Sequence, residues 1–118
     1  MSLPRVDLIL GAASGVTNIV SQKIYRTMAE ETAVAPYVVW GIVSATPENN
    51  LASDPELDEA RIQVDCYSLS QSQARTLCYA AVAALEPYYH VIFGPSETRE
   101  DDTKLWRWMF HVTTFTNR

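Results

Sequence analysis

Basic residues are scarce in this 118-residue sequence, with nine Lys and Arg against fourteen Asp and Glu and a formal charge of -5. They form no run, which argues against a conventional nucleic-acid binder, whose affinity comes mainly from neutralising phosphates. Only two cysteines occur, Cys66 and Cys78, and neither belongs to a CxxC pair. Free buried thiols are the simple reading, although both fall on faces expected to point inward, so a disulfide is geometrically conceivable. No apolar run approaches the roughly 20 residues that span a bilayer. The start, Met1-Ser2-Leu3-Pro4-Arg5 with Asp7 close behind, offers neither a basic n-region nor a long h-region, so no secretory signal is expected.

Catalytic signatures are equally thin. The four glycines make no phosphate-binding loop: Gly11-Ala12-Ala13-Ser14-Gly15 has no following Lys and comes after a helix-like segment. There is no G-x-S-x-G elbow. His90 and His111 are the only histidines, and no Cys, His or carboxylate partners converge on them in the pattern a zinc site or catalytic dyad needs. Glu97 and the Glu100-Asp101-Asp102 run lack the alternating ligands, turn glycine and distal Glu of a calcium loop. Trp106 and Trp108 flanking Arg107 imitate a stacking platform for single-stranded nucleic acid, but that spacing on a last strand is more often core. The expectation is a protein that is not an enzyme, with no catalytic residues, cofactor or metal.

What is present is a globular composition, 47% hydrophobic and 19% charged, of a length that suits one domain over residues 1–118. Val6, Ile9, Leu10 and Ala13 are spaced as a short amphipathic helix, with a second helical turn around Val16, Ile19 and Val20. Ile24-Tyr25-Arg26 reads as a short strand. From Tyr37 to Ala45 both alternation classes are apolar, as in a strand covered on both faces. Thr46 to Glu59 is polar and carries Glu48, Asp54, Glu56, Asp58 and Glu59 without a basic residue, so it reads as a long hairpin connection.

Arg61 to Tyr67 alternates cleanly, with Ile62, Val64 and Cys66 on one side and Arg61, Gln63, Asp65 and Tyr67 on the other. Ser70 and Gln73 then form a capping box, and Ala74, Leu77, Cys78, Ala81 and Leu85 repeat at helical spacing until Pro87. Val91-Ile92-Phe93 reads as a short strand broken by Gly94-Pro95, and Ser96 to Thr103 as an acidic loop. In a final strand Trp106, Trp108, Phe110 and Val112 alternate with Arg107, Met109, His111 and Thr113. The expected fold class is α+β, a mainly antiparallel sheet of about four to five strands with helices packed on one face.

The order of these segments carries a resemblance. Ile24-Tyr25 after an N-terminal helix, Ala35-Pro36-Tyr37-Val38-Val39 opening a strand, a polar insertion, Ala60-Arg61-Ile62-Gln63-Val64-Asp65-Cys66-Tyr67, and then an alanine-rich helix resemble the phage tail-completion (tail-terminator, head–tail joining) proteins. The Arg-x-Gln-Val-Asp-x-Tyr strand before a Ser/Gln-started helix is the most specific piece.

The resemblance implies a structural protein of a phage or prophage, assembled in the bacterial cytoplasm and located in the virion tail or neck. It implies a ring of copies, commonly six, at the head-proximal end of the tail, contacting the tail-tube protein and the head connector. No membrane is involved, and DNA passes through without specific binding. Candidate interface or channel residues are Glu48, Asn49, Asn50, Asp54, Glu56, Asp58, Glu100, Asp101 and Asp102, and the carboxylates among them would repel DNA phosphates. A neck or connector component and a generic dimeric interaction module are the alternatives. A small α+β enzyme is a third, and it lacks convergent polar groups.

Overall fold

The computed structural model describes residues 6–29, 34–47 and 57–114. Two short helices, α1 (Val6–Gly11) and α2 (Ser14–Val20), lead into β1 (Ile24–Arg26), β2 (Tyr37–Pro47) and β3 (Leu57–Ser68). Helix α3 (Gln71–Leu85) follows, then β4 (Tyr89–Arg99) and β5 (Trp106–Thr114). The five strands form one sheet in the order β1-β2-β3-β5-β4. Only the β1–β2 pair is parallel; the other three are antiparallel. The protein is therefore α+β, with its helices on one face of a mostly antiparallel sheet.

Helix α3 forms where the apolar spacing predicts it, and Ala74, Leu77, Cys78, Ala81 and Leu85 are all fully buried. It lies over β3, β5 and β4, while α1 and α2 pack against its other flank. The alanine-rich stretch lets that flank come close. A Cβ placed on Gly15 of α2 would sit 3.4 Å from the Ala80 Cβ, so the two helices meet in close van der Waals contact there. Val6, Leu10, Val16 and Val20 enter the same core, as do Val38, Trp40, Ile62, Val64, Cys66, Phe110 and Val112 from the sheet. Cys66 and Cys78 face each other across this core as free thiols, and their contact together with burial pushes the Cys66 thiol well above its usual range.

The N-terminal cap of α3 is partly as expected. The Ser70 hydroxyl accepts from the Gln73 amide at 3.3 Å. The Gln73 side chain does not return to the Ser70 amide, however. It accepts from the Ser68 hydroxyl at 2.6 Å, and that hydroxyl oxygen in turn accepts from the Ser70 amide at 3.0 Å. Ser68 is fully buried, so it serves as the relay that a two-residue capping box would lack.

Three expectations are corrected. The sequence reading has Tyr37–Ala45 covered on both faces, but the helices cover one. On the other face Val39 is buried, Tyr37 and Gly41 are half-buried and Val43 is exposed. Side chains of neighbouring strands shield Val39 there, rather than a second layer.

The connection after β2 is shorter than Thr46 to Glu59, because Thr46 and Pro47 pair with Glu59 and Leu57 in the ladder. Gly94-Pro95 does not end a strand either. The pairing with β5 shifts register between Phe93 and Ser96 and then resumes from Ser96↔Met109 to Arg99↔Trp106. Gly94 makes this bulge with φ at +89°, and a Cβ there would lie 2.7 Å from the Met109 carbonyl oxygen. The reversal comes later, between Arg99 and Trp106, where Lys104 takes a positive φ.

Candidate assembly surfaces

The expected acidic loops fall at opposite ends of the sheet. Strand β3 begins at Leu57, beside the β2–β3 connection, and ends at Ser68, which pairs with Trp106 beside the β4–β5 turn. A strand of 12 residues separates those ends by roughly 35 Å at about 3.3 Å per residue. Among the described residues, the strand ends that flank the β2–β3 connection and the Glu100–Asp102 turn are therefore far apart.

Glu48, Asn49, Asn50, Asp54 and Glu56 lie outside the described residues. Asp58 belongs to β3. Glu100, Asp101 and Asp102 occupy the β4–β5 turn, where Asp101 and Asp102 are exposed. Glu100 fastens this turn rather than extending from it. Its amide donates to the Leu105 carbonyl at 2.9 Å, its carbonyl accepts from the Lys104 amide at 2.9 Å, and its carboxylate accepts from the Thr103 hydroxyl at 3.0 Å.

The uncovered face of the sheet holds a connected set of side chains that single-strand alternation could not assemble. Tyr25, Tyr37 and Tyr67 make an aromatic row across β1, β2 and β3, with ring centroids 5.9 and 4.9 Å apart. Next to it Asp65 is only 9% exposed. Gln63 donates to both of its carboxylate oxygens, at 3.0 and 3.1 Å. The Arg107 Nε lies 3.5 Å from Asp65, without hydrogen-bond geometry, and Arg107 also reaches Glu100 at 3.8 Å.

Burial pushes the Asp65 carboxyl above the usual carboxylate range, and the Gln63 hydrogen bonds and the Arg107 charge oppose that without cancelling it. The same desolvation, with the Asp65 charge behind it, pushes the Tyr67 phenol up to about 12. The outward positions of β3 and β5 were visible in the sequence. Their meeting was not, because it depends on the β3–β5 register that sets Tyr67 opposite Arg107 and Asp65 opposite Met109.

Farther along this face Arg61 donates to the His111 Nδ1 at 2.8 Å. An imidazole nitrogen that accepts is unprotonated, so His111 is neutral and carries its proton on Nε2. Burial and the neighbouring Arg61 charge lower its pKa. Phe93 rests against the ring at 5.3 Å between centroids. His90 is exposed at the start of β4.

On the helix side, a shallow groove of about 440 Å³ runs beside α3, lined by Gln71, Ser72, Arg75, Tyr79, Glu97 and Trp108. The Glu97 Oε2 accepts from Gln71 at 2.7 Å and from the Trp108 indole at 3.1 Å. Arg75 stacks over Tyr79 and Arg99 over Trp106. Trp108 packs against the core and Trp106 is half-buried, so neither stands free as a base-stacking platform. Among the described residues no three His, Cys, Asp or Glu side chains gather as a metal site, and no helix is long and apolar enough to cross a membrane.

These surfaces define a scaffold whose distinctive groups lie on a broad sheet face and along sheet edges, the arrangement of an assembly component. The tail completion protein gp17 family matches residues 9–117, and the chain belongs to that family. It is thus a structural protein of the phage virion tail. No curated protein matches it in sequence. Among solved structures it is similar to a chain in the virion of a native gene transfer agent (GTA) particle, at 12% identity and a TM-score of 0.65. The likeness covers 92% of this chain and 89% of that one. At that identity the likeness speaks for the fold alone.

Proposed function

We propose that copies of this chain form a ring, six-fold by the family resemblance, at the head-proximal end of the tail. The ring stops tail-tube polymerisation and offers the surface on which the head connector docks. The role is structural and non-catalytic, and the whole chain acts as one domain. The observation that carries the reading is that the sheet ends in two unlike edges, β1 with the rest of β2 on one side and β4 on the other. Two different surfaces that fit each other head to tail generate a ring when the rotation closes.

The ends of β3, one beside the β2–β3 connection and one beside the β4–β5 turn, suit two rims of such a ring. If the strands run along the ring axis, the β2–β3 connection stands at one rim and the Glu100–Asp102 turn at the other. Carboxylates at the rims would repel DNA phosphates and keep the genome from sticking as it passes. Charge reversal of Asp54, Glu56 and Asp58 to Lys is then expected to slow DNA ejection from assembled particles. Unchanged ejection kinetics would remove the acids from this role.

The ring itself is tested by light scattering on the full chain, alone and with growing tail-tube protein. A discrete ring that halts tube growth is the expected result. A stable two-copy complex indifferent to tube protein would replace this reading with a generic interaction module.

A further inference from the structure

Strand β1 pairs with β2 only from Ile24↔Val38 to Arg26↔Trp40. The chain then turns away at Thr27, whose φ is +74° and whose amide closes the ladder on the Trp40 carbonyl at 2.7 Å. Strand β2 continues to Pro47, and among the described residues nothing pairs with its outer edge beyond that point. Strand alternation says which groups are left there. The Val38 amide and Trp40 carbonyl face β1, so the Ile42 backbone, two residues on, faces the bare edge.

A cleft of about 200 Å³ opens beside this stretch, lined by Thr27, by Val39 to Val43 of β2, and by Gln63 and Asp65 of β3. Trp40, only 3% exposed, is part of its wall, and its indole N–H has no acceptor among the described residues. A buried donor without a partner is uncommon enough to require an account. Among the described residues, the unpaired edge, the cleft beside it and the indole donor together mark a strand position left open.

We propose that this position takes strand β4 of a second copy of the chain, paired antiparallel to β2. The proposal rests on the ring reading and supplies its contact. Three observations select β4. It is the other terminal strand of the same sheet, and no described strand pairs with the outer edge of its stretch from Val91 to Arg99. Its central stretch, Val91 to Ser96, carries no charge, and neither does Gly41 to Pro47 of β2. Neither stretch carries the charged side chains that often block a free edge; Pro47, Pro95 and the bulges leave only short runs of each open to pairing. Exposed apolar residues mark both, Val43 on β2 and Ile92 and Phe93 on β4, each between 45% and 49% exposed.

The direction follows from the sheet itself. Three successive antiparallel pairings, β2–β3, β3–β5 and β5–β4, leave β4 running opposite to β2. Rotation about an axis along the strands preserves direction, so the neighbour's β4 meets β2 antiparallel, the more stable arrangement. The bulges at Val43 and at Gly94-Pro95 limit which registers fit. The shortness of β1 therefore has a purpose, since a longer β1 would occupy the slot.

Two pairs of variants test this on the full chain. V43C mixed with I92C and oxidised gently is expected to give a mixed disulfide, while neither variant cross-links with itself. The native thiols are fully buried and do not compete. V43K and I92K each place a charge on one edge, and each alone is expected to lose ring formation. Mixed together they are expected to stop at a two-copy complex, because one unblocked β2 and one unblocked β4 remain. A two-fold, self-complementary interface would give no such rescue.

Rings formed equally by wild type, V43K and I92K would overturn the edge pairing and leave the ring reading standing. A selective V43C–I92C cross-link beside tube growth that continues unchecked would uphold the pairing and overturn the terminator reading. Absence of the mixed disulfide at high concentration, with self-association intact, would show that copies meet elsewhere.

Discussion

The two faces of the one sheet are held by different physics. Toward the helices, alternate residues of β2, β3 and β5 meet Leu77, Cys78, Ala81 and Leu85 in a core whose central members have no solvent exposure. That side is stabilised by apolar burial, which is non-directional and insensitive to charge. On the opposite side the intervening residues of the same strands form a tyrosine row, a desolvated Asp65 with Gln63 and Arg107, and a neutral His111 held by Arg61. Directional contacts and titratable groups dominate there. One face makes the fold, and the other makes a surface whose chemistry can be read or altered without dismantling it.

The sharpest way to break the covered face is Phe110→Ala. Phe110 is the largest of the fully buried side chains, and losing it should cost about 3–5 kcal/mol in denaturant unfolding. A loss under about 1 kcal/mol would mean that the core collapses around the gap and is looser than described. Gly94→Ala probes the bulge behind which β4 regains its ladder. With φ at +89° and the Met109 carbonyl in the way, it should cost about 1–3 kcal/mol.

Ser70→Ala removes the acceptor for the Gln73 amide but leaves the Ser68 relay in place. The expected loss is about 1 kcal/mol at most. Ser68→Ala in parallel would show whether the buried relay matters more than the cap itself.

The smallest effect belongs to the open face. His111 has a lowered pKa in the folded protein, so the unfolded chain binds its proton more readily. The stability from keeping it neutral is fully present above the ordinary imidazole value of about 6.5. It is lost as pH falls from there through the lowered folded value. His111→Gln should flatten that part of the stability–pH profile while leaving the plateau near neutrality little changed. An identical acid slope in the variant would move its origin to another group.

Much of this was legible along the chain. Helix α3 was, because Ala74 to Leu85 repeat at a spacing only one helical face satisfies, and Ser70 and Pro87 bound it. The outward set on β3 was legible because its alternation is unbroken. The course of β4 was not, since Gly94-Pro95 is a common turn signal and only the continuing ladder on β5 shows it to be a bulge. Nor was the burial of Asp65, which looks like any outward acid until Tyr67, Arg107 and Gln63 close around it.

The sequence by itself determined the helices, the buried faces of α3 and β3, the fold class and the family, because those are written in local periodicity and in the order of segments. Tertiary structure alone decided the strand order β1-β2-β3-β5-β4, the distance between the two ends of β3, and the stretch of β2 that no described strand pairs on its outer edge. Those depend on registers between strands far apart in the chain, and no local pattern encodes which backbone row is left without a partner.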